Sequence, residues 1–315
     1  MGRYLVRRLA MAVLILWFIS VAVFILMRWM PGDPALLQQG LNATPERVAA
    51  VREELGLNDP KIVQYGNWLI DFTTLDLGES VLNQVSVTDE FKRRFPVSFE
   101  LMALTLVWTV VLGIPFGVIS AIRRNQGADY VVRLFAILAL AIPSFWVATL
   151  VLMIPAQRWG YAPPLDGTVG LLEHPWDNIR QFGPPSLVLA FAPMASVMRL
   201  TRSSMLEVLR ADYIRSARAK GLDERAVVVN HALKNSIIPV ITVVGLQTAN
   251  LLGGAVIIEQ IFNINGLGQY LYQSILQKDF AVAQSLVMYT AAGVVFMNLA
   301  VDVVYGWLDP RIRFS

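Results

Sequence analysis

The residues best suited to chemistry in this sequence form a polar stretch, residues 199–236, between two long apolar runs. It contains eight Lys or Arg residues, which are Arg199, Arg202, Arg210, Arg215, Arg218, Lys220, Arg225 and Lys234. Basic groups at this density bind anionic partners, such as acidic protein surfaces or lipid headgroups. We therefore expect something outside this chain to dock on the stretch.

The stretch predicts two helices joined by a turn at Gly221. Apolar residues at helical spacing predict one stripe on the first helix, namely Leu206, Leu209, Tyr213 and Ala217. Gly221 is placed to end that helix in a left-handed conformation. Asp223 is placed to cap a second helix that runs through Asn235. The stretch is therefore predicted to be a helix–glycine–helix elbow, and we call residues 199–236 the elbow below.

Residues for covalent or metal-assisted catalysis are missing from the sequence. There is no Cys, and the two histidines, His174 and His231, lie outside the apolar runs. No G-x-x-x-x-G-K-S/T loop is present, and no Ser/His/Asp arrangement or paired carboxylate cluster lies in or beside those runs. We expect no catalytic residues, no metal site and no cofactor, so the chain is predicted not to be an enzyme.

The composition is that of a chain embedded in a membrane. Its 315 residues are 56% hydrophobic and 16% charged, whereas a soluble domain carries about 25% charged residues. Six runs without Asp, Glu, Lys or Arg are long enough to cross a bilayer, which takes roughly 17–25 residues. They are residues 9–27, 101–122, 134–157, 181–198, 235–258 and 280–301. The sequence predicts an all-α integral membrane protein with six transmembrane helices.

The distribution of charge predicts the orientation of these helices. Sixteen of the 26 Lys and Arg residues, but seven of the 23 acids, fall in the segments that would share a side with the N-terminus. Both termini and the elbow are therefore predicted to be cytoplasmic. The first run is predicted to be an uncleaved anchor, because it exceeds the ~7–15 residues of a signal-peptide core. The largest outer segment predicts two short helices, at residues 45–56 and 62–72.

The interiors of the predicted spans carry amides and hydroxyls instead of ionisable groups. Gln247 and Asn250 lie one turn apart on the fifth span, and Asn298 lies on the sixth. They predict either hydrogen bonds between helices or a wetted translocation path, and the sequence leaves both open. Because ion-coupled transporters usually carry charged groups inside the membrane, we expect the energy for uphill transport to come from another polypeptide.

Two features of the spans predict how the helices pack and bend. Gly113 and Gly117 form a pair of small residues one turn apart, which predicts a close approach of another helix. Pro143 predicts a kink in the third span.

Several motifs occur together in an order typical of one family. They are RRL at 7–9, PGDP at 31–34, DYIRSARAKGL at 212–222, HALKNSIIP at 231–239, GLGQ at 266–269 and LDPRIR at 308–313. On these motifs the chain resembles the permease subunits of binding-protein-dependent ABC importers, in the dipeptide, oligopeptide and nickel branch. The resemblance implies the type I importer permease fold, a location in the cytoplasmic (inner) membrane, and a chain that binds no ATP.

The resemblance also implies partners and their sites. The partners would be a second homologous permease subunit, two cytoplasmic ATPase subunits, an extracytoplasmic solute-binding protein, a peptide substrate and membrane lipid, with no nucleic acid. The ATPases would dock on Asp212, Tyr213, Arg215, Ala217, Arg218, Ala219, Lys220, Gly221 and Leu222. The resemblance implies a central path between the two permeases, and the polarity of Gln247, Asn250 and Asn298 within the spans leads us to expect these residues in it. From the apolar runs and the charge distribution, we expect an anchor at 1–30, an extracytoplasmic segment at 31–98 and a permease domain at 99–310 that carries the elbow.

Other functions remain open at this stage. The same fold could import nickel complexes, glutathione or a sugar-derived solute. From a different class, the chain could be a structural membrane subunit of a larger complex, or a membrane enzyme. The lack of histidine ligands disfavours a haem subunit, and the lack of a polar cluster disfavours an enzyme.

Overall fold

The computed structural model describes residues 2–29, 32–39, 43–160, 169–171 and 173–308. Of the family motifs, Pro31 of the first turn and residues 309–313 lie outside these ranges. The described residues are helical, apart from turns and one isolated antiparallel bridge between Glu79 and Ser86. The prediction of an all-α protein is confirmed.

The helices follow one another with short connections. In the first half of the chain they are α1 (Gly2–Trp29), α2 (Pro34–Gln39), α3 (Pro45–Glu54), α4 (Lys61–Thr74), α5 (Val87–Ile122), α6 (Gly127–Ala141) and α7 (Ser144–Trp159). In the second half they are α8 (Pro175–Val208), α9 (Asp212–Ala219), α10 (Glu224–Ala226), a π-helix (Val227–Leu233), α11 (Lys234–Phe262), α12 (Leu267–Leu276) and α13 (Phe280–Leu308). The two short helices predicted at 45–56 and 62–72 correspond to α3 and α4.

Four helical segments among the described residues are long and apolar enough to cross a membrane. They are Val6–Trp29, Val87–Ile122, Glu224–Phe262 and Phe280–Val301. The bent pair formed by α6 and α7 raises the number to five if it counts as one span. The remaining predicted run, residues 181–198, lies within α8. Four or five candidates are compatible with the six predicted helices without establishing that number.

The third predicted span is broken at Pro143. Helix α6 ends at Ala141, α7 begins at Ser144, and their axes differ by 102°. Ile142 has extended backbone angles, φ −89° and ψ 126°, because the ring of a following proline disfavours the helical conformation. The predicted kink is confirmed and takes the form of a complete break.

The chain divides into two compact units. The first consists of Met1–Ser98 and Ile264–Leu299, and the second of Phe99–Asn263 and Ala300–Ser315. In the first unit, a row of aromatic rings runs from α1 through α4 to α13. Its members are Phe24, Tyr65, Trp68, Phe72 and Tyr289, with neighbouring centroids 4.8–6.3 Å apart. Such edge and tilted contacts add to the apolar burial of each ring.

Buried polar side chains fix the helix ends of the first unit. Asp279 precedes α13, and its carboxylate accepts hydrogen bonds from the hydroxyl of Ser80 and from the amides of Val81 and Val282. The amide of Leu267, the first residue of α12, donates to Ser98 Oγ at 2.8 Å. Amides at helix starts lack partners within the helix, so these side chains satisfy them.

In the second unit, α8 contacts α6, α7 and α11. Helix α5 approaches α8 at two glycines. A Cβ atom on Gly113 would lie 2.8 Å from Val197 Cγ1, and one on Gly117 would lie 2.6 Å from Thr201 Cβ. Separations this short leave no room for a side chain, so the predicted close packing at this pair is confirmed.

Candidate functional site

The elbow contains a break that the sequence pattern did not predict. Helix α8 ends at Val208, and Ala211 is extended with φ −66° and ψ 149° before α9 begins at Asp212. The expectation of one continuous helix with its apolar stripe through Tyr213 is therefore wrong. The break shifts the helical phase, so that Ile214 is fully buried and Tyr213 is 45% exposed.

One apolar face holds α9 against the rest of the second unit. Ile214 and Ala217 belong to a buried cluster that also contains Ala121, Met205, Val227, Val228 and Ala232. These residues come from α5, α8 and the π-helix. The small side chain of Ala217 lets α9 lie close to the cluster, while the opposite face of α9 remains open.

The turn after α9 has the predicted backbone. Gly221 has φ +79°, a left-handed conformation that residues with a Cβ adopt at a cost. The amide of Gly221 donates to the carbonyl of Arg218 at 2.9 Å, and that of Leu222 to the carbonyl of Ala217 at 3.4 Å. The carboxylate of Asp223 accepts from the amide of Arg225 at 3.1 Å. The predicted glycine turn and aspartate cap are both confirmed.

Two arginines of α9 have acidic partners within the chain. The Nε and Nη2 atoms of Arg218 lie 3.0 and 2.6 Å from the carboxylate oxygens of Glu224, across the Gly221 turn. Hydrogen bonding to Glu224 raises the pKa of Arg218. Arg215 pairs with Asp212 one turn earlier. The second pair was visible in the sequence as charges three residues apart, whereas the first requires the turn geometry.

Eight of the nine predicted docking residues are exposed. These eight are Asp212, Tyr213, Arg215, Arg218, Ala219, Lys220, Gly221 and Leu222. Ala217 faces the buried cluster and is 7% exposed. The hydroxyl of Tyr213 accepts a hydrogen bond from Asn235 Nδ2 at 3.0 Å, which ties α9 to the start of α11. The elbow thus presents a charged surface with two apolar side chains, Tyr213 and Leu222, on a helix fixed from behind.

The second arm of the elbow contains a π-helix. Residues 227–233 adopt it between α10 and α11, so the arm continues into α11 instead of ending near Asn235. No pattern in the sequence distinguished these residues from an ordinary helix. A π-helix packs more residues into each turn, is rare, and frequently lies at functional sites.

The sequence did not predict a buried ion pair that involves Arg202 of the elbow. Asp129, at the start of α6, is fully buried, and Arg202 of α8 is 22% exposed. The guanidinium contacts both carboxylate oxygens, with Nε–Oδ1 2.8 Å and Nη2–Oδ2 2.9 Å. Ser120 Oγ donates to Oδ1 at 2.6 Å, and the amide of Asn125 donates to Oδ2 at 3.0 Å. This fully hydrogen-bonded carboxylate joins α5 and α6 to the part of α8 that lies within the elbow.

The three predicted path residues belong to two different units of the chain. Gln247 is half-buried and Asn250 is exposed, one turn apart on α11 in the second unit. Asn298 is exposed on α13 and belongs to the first unit. Their role in a path stays a prediction.

The sequence matches a known family over most of its length. Residues 113–314 match the family described as binding-protein-dependent transport system inner membrane component. Residues 1–102 match the N-terminal family of the same membrane components. The chain therefore belongs to the inner membrane components of binding-protein-dependent transport systems. It is a multi-pass permease subunit and not an enzyme, and its family implies a partner permease, an ATPase and a solute-binding protein.

Proteins named as dipeptide or oligopeptide permeases are similar to this chain along its whole length. The chain is 37% identical to the dipeptide transport system permease protein DppB of Alkalihalophilus pseudofirmus, over 99% of each chain. It is 37% identical to the oligopeptide transport system permease protein AppB of Bacillus subtilis, over 100% of each. It is 34% identical to the dipeptide transport system permease protein DppB of Escherichia coli, over 99% of each.

Proposed function

We propose that this chain is the permease subunit of a peptide importer. Together with a second, homologous permease, it forms the path for di- or oligopeptides, which a solute-binding protein delivers and two ATPase subunits drive. The observation that carries the proposal is the full-length similarity to permeases named for dipeptide and oligopeptide transport. The domain organisation is an anchor at 1–30, an extracytoplasmic segment at 31–98 and a permease domain at 99–310, with both termini cytoplasmic.

The elbow is the part of the chain on which the ATPases act. Ile214 and Ala217 bind α9 to the buried cluster, so a force on the exposed face of α9 passes to α5, α8 and the π-helix. The exposed charges of α9 complement a polar partner surface, and Tyr213 and Leu222 supply apolar contact. Because Arg215 and Arg218 already have acidic partners, Lys220 is the basic group of α9 and its turn that is best placed to pair with a partner's acid.

Polar groups on the spans line the path. Gln247 and Asn250 on α11, and Asn298 on α13, carry amides that favour water or cargo over lipid, since an unsatisfied polar group in hydrocarbon costs several kcal/mol. Single-Cys variants at these positions should react with small water-soluble thiol reagents, and the rate should differ with and without nucleotide. The chain has no native Cys to interfere. Protection of all three positions in every state would contradict this role.

The decisive experiment reconstitutes the complete transporter in vesicles and measures ATP hydrolysis. Hydrolysis should rise when the binding protein is loaded with a dipeptide or an oligopeptide. It should not rise with the same binding protein offered nickel complexes or glutathione. Stimulation by these other solutes and not by peptides would show that the transporter imports a different solute.

A second measurement tests the elbow independently of the cargo. Leu222→Asp places a charge at an exposed apolar position beside the Gly221 turn, and Leu171→Asp does the same at an exposed leucine outside the elbow. The elbow variant should lose ATPase subunits during purification, whereas the control variant should retain them. Equal retention in both would show that Leu222 is not part of the docking surface.

A further inference from the structure

Two neighbouring hollows in the second unit have opposite chemistry. The first, a basic pocket of about 730 Å³, is lined by four arginines, which are Arg124, Arg133, Arg202 and Arg210. The second, an apolar groove of about 380 Å³, is lined by apolar side chains alone, including Phe116, Val132, Phe135, Met194 and Met198. Both hollows are formed by α6 and α8, with contributions from α5 or the loop that follows it.

The helices place the two hollows next to each other. On α8, Met194, Met198 and Arg202 are spaced by four residues and therefore lie on one face, with the arginine at the end that lies within the elbow. On α6, the groove residue Val132 directly precedes the pocket residue Arg133. The basic pocket thus lies at the end of the apolar groove, on the side of the membrane that the charge distribution predicts to be cytoplasmic.

The pocket has a surplus of positive charge. Asp129 already neutralises Arg202. Among the described residues, none forms an ion pair with Arg124, Arg133 or Arg210, and all three are exposed. Glu207 is the acid in the lining, and Asn125 and Ser203 add neutral polar groups. Three arginines against one glutamate leave a site that favours an anion, and arginine binds phosphate with two parallel hydrogen bonds.

The length of the groove matches the depth of the hydrocarbon in one lipid leaflet. From Leu187 to Met198 it follows α8 for roughly 16 Å, at 1.5 Å per residue. This is about half of the ~30 Å hydrocarbon core of a bilayer. Exposed apolar side chains of α6, such as Leu134, continue the surface outside the groove. A molecule with a phosphate at one end and an acyl chain of this length at the other matches both hollows.

We infer that the basic pocket and the apolar groove together bind one anionic glycerophospholipid, with its phosphate among Arg124, Arg133 and Arg210 and an acyl chain between α6 and α8. An acidic protein surface would satisfy the arginines and leave the apolar groove unused. Free phosphate would do the same. The inference does not rest on the cargo or on the docking role proposed for the elbow.

Native mass spectrometry of the purified complex, with its partner permease and ATPase subunits, tests this. The complex is titrated with dioleoylphosphatidylglycerol and with dioleoylphosphatidylcholine, which share acyl chains and a phosphate but differ in net charge. One phosphatidylglycerol should bind more tightly than phosphatidylcholine. Each basic residue near a lipid surface contributes about 1 kcal/mol, so the triple variant R124Q/R133Q/R210Q should weaken phosphatidylglycerol binding about a hundredfold. Arg202 is left unchanged, because Asp129 depends on it.

Matched controls test whether lipid binding depends on the residues of the site and not on positive charge or apolar surface in general. R199Q/R225Q/K234Q removes three exposed basic residues of the elbow outside the pocket and should keep the preference for phosphatidylglycerol. In the groove, Val131→Gln should weaken binding about fivefold by placing an amide against the acyl chain. Ile137→Gln changes a similarly exposed position on the same helix outside the groove and should have no effect. Val131 and Ile137 are 67% and 58% exposed, so neither change threatens the fold.

Several results would overturn the inference. Equal binding of the two lipids would show that the arginines do not select the lipid. Equal effects of Val131→Gln and Ile137→Gln would show that the groove does not bind the acyl chain. Displacement of the lipid by millimolar inorganic phosphate would indicate a free-anion site. If R124Q/R133Q/R210Q keeps the lipid and instead loses the ATPase subunits, the pocket contacts an acidic protein surface.

Discussion

The pairs Asp129–Arg202 and Glu224–Arg218 make the same bidentate contact in very different surroundings. In the first pair the side chains are 0% and 22% exposed, and in the second 58% and 42%. Taking charges out of water is costly, so the buried pair depends on complete hydrogen bonding, which Ser120 and Asn125 provide. The exposed pair gains little over hydration. Although the two pairs have similar geometry, we therefore expect the loss of the buried pair to destabilise the protein far more than the loss of the exposed pair.

The largest effect is expected on breaking the buried pair. Arg202→Met leaves the carboxylate of Asp129 buried without its guanidinium, which should lower the free energy of unfolding by about 3–5 kcal/mol. Circular dichroism during thermal unfolding of the detergent-solubilised complex measures this loss. The double variant R202M/D129L should recover much of the loss, since it removes both charges. If Arg202→Met and Arg218→Met shift the midpoint equally, burial does not distinguish the two pairs.

A smaller loss is expected at the apolar contact that holds the elbow. Ile214→Ala removes a fully buried side chain and should cost about 2–5 kcal/mol. Because α9 is short, the effect should appear as faster hydrogen exchange of the α9 amides, with the remaining helices unchanged. Leu222→Ala is the control, because that side chain is 42% exposed. Equal exchange in the two variants would mean that the apolar cluster does not hold α9.

Substitutions at Gly221 should destabilise the protein through the backbone conformation and not through the size of the new side chain. A Cβ on Gly221 has no heavy atom within 4 Å, whereas φ is +79°. Gly221→Ala and Gly221→Leu should therefore cost a similar amount, about 1–2 kcal/mol each, from the left-handed conformation alone. Gly221→Asn should cost less, because asparagine tolerates this conformation. Thermal unfolding tests the series, and a cost that rises steeply with side-chain volume would contradict it.

The smallest effect is expected for the exposed pair. Glu224→Gln removes the partner of Arg218 and should change the free energy of unfolding by about 1 kcal/mol or less. The difference from the unmodified chain should shrink as salt is raised, since exposed charges are screened. Unfolding at low and high ionic strength provides the comparison. A loss as large as that of Arg202→Met, unaffected by salt, would show that this pair is buried in the assembled transporter.

Residues whose role depends on local sequence were predicted well. The apolar runs indicated a membrane protein built of helices, because a backbone in lipid must satisfy its own hydrogen bonds. Gly221 and Asp223 were assigned correctly, since left-handed turns and caps depend on residues next to one another. Pro143 broke its helix through the same kind of local steric effect, and Gly113 and Gly117 marked a close approach without identifying the partner helix.

The sequence by itself determined the membrane class, the glycine turn of the elbow and the basic surface around it, because hydropathy, backbone preference and charge are properties of short stretches. The tertiary structure decided the break before α9, which buries Ile214 in place of Tyr213. It also decided the pairing of Asp129 with Arg202, 73 residues apart, and the meeting of an apolar groove with an arginine pocket. These features depend on which helix faces become neighbours, and that is fixed only when distant segments pack together.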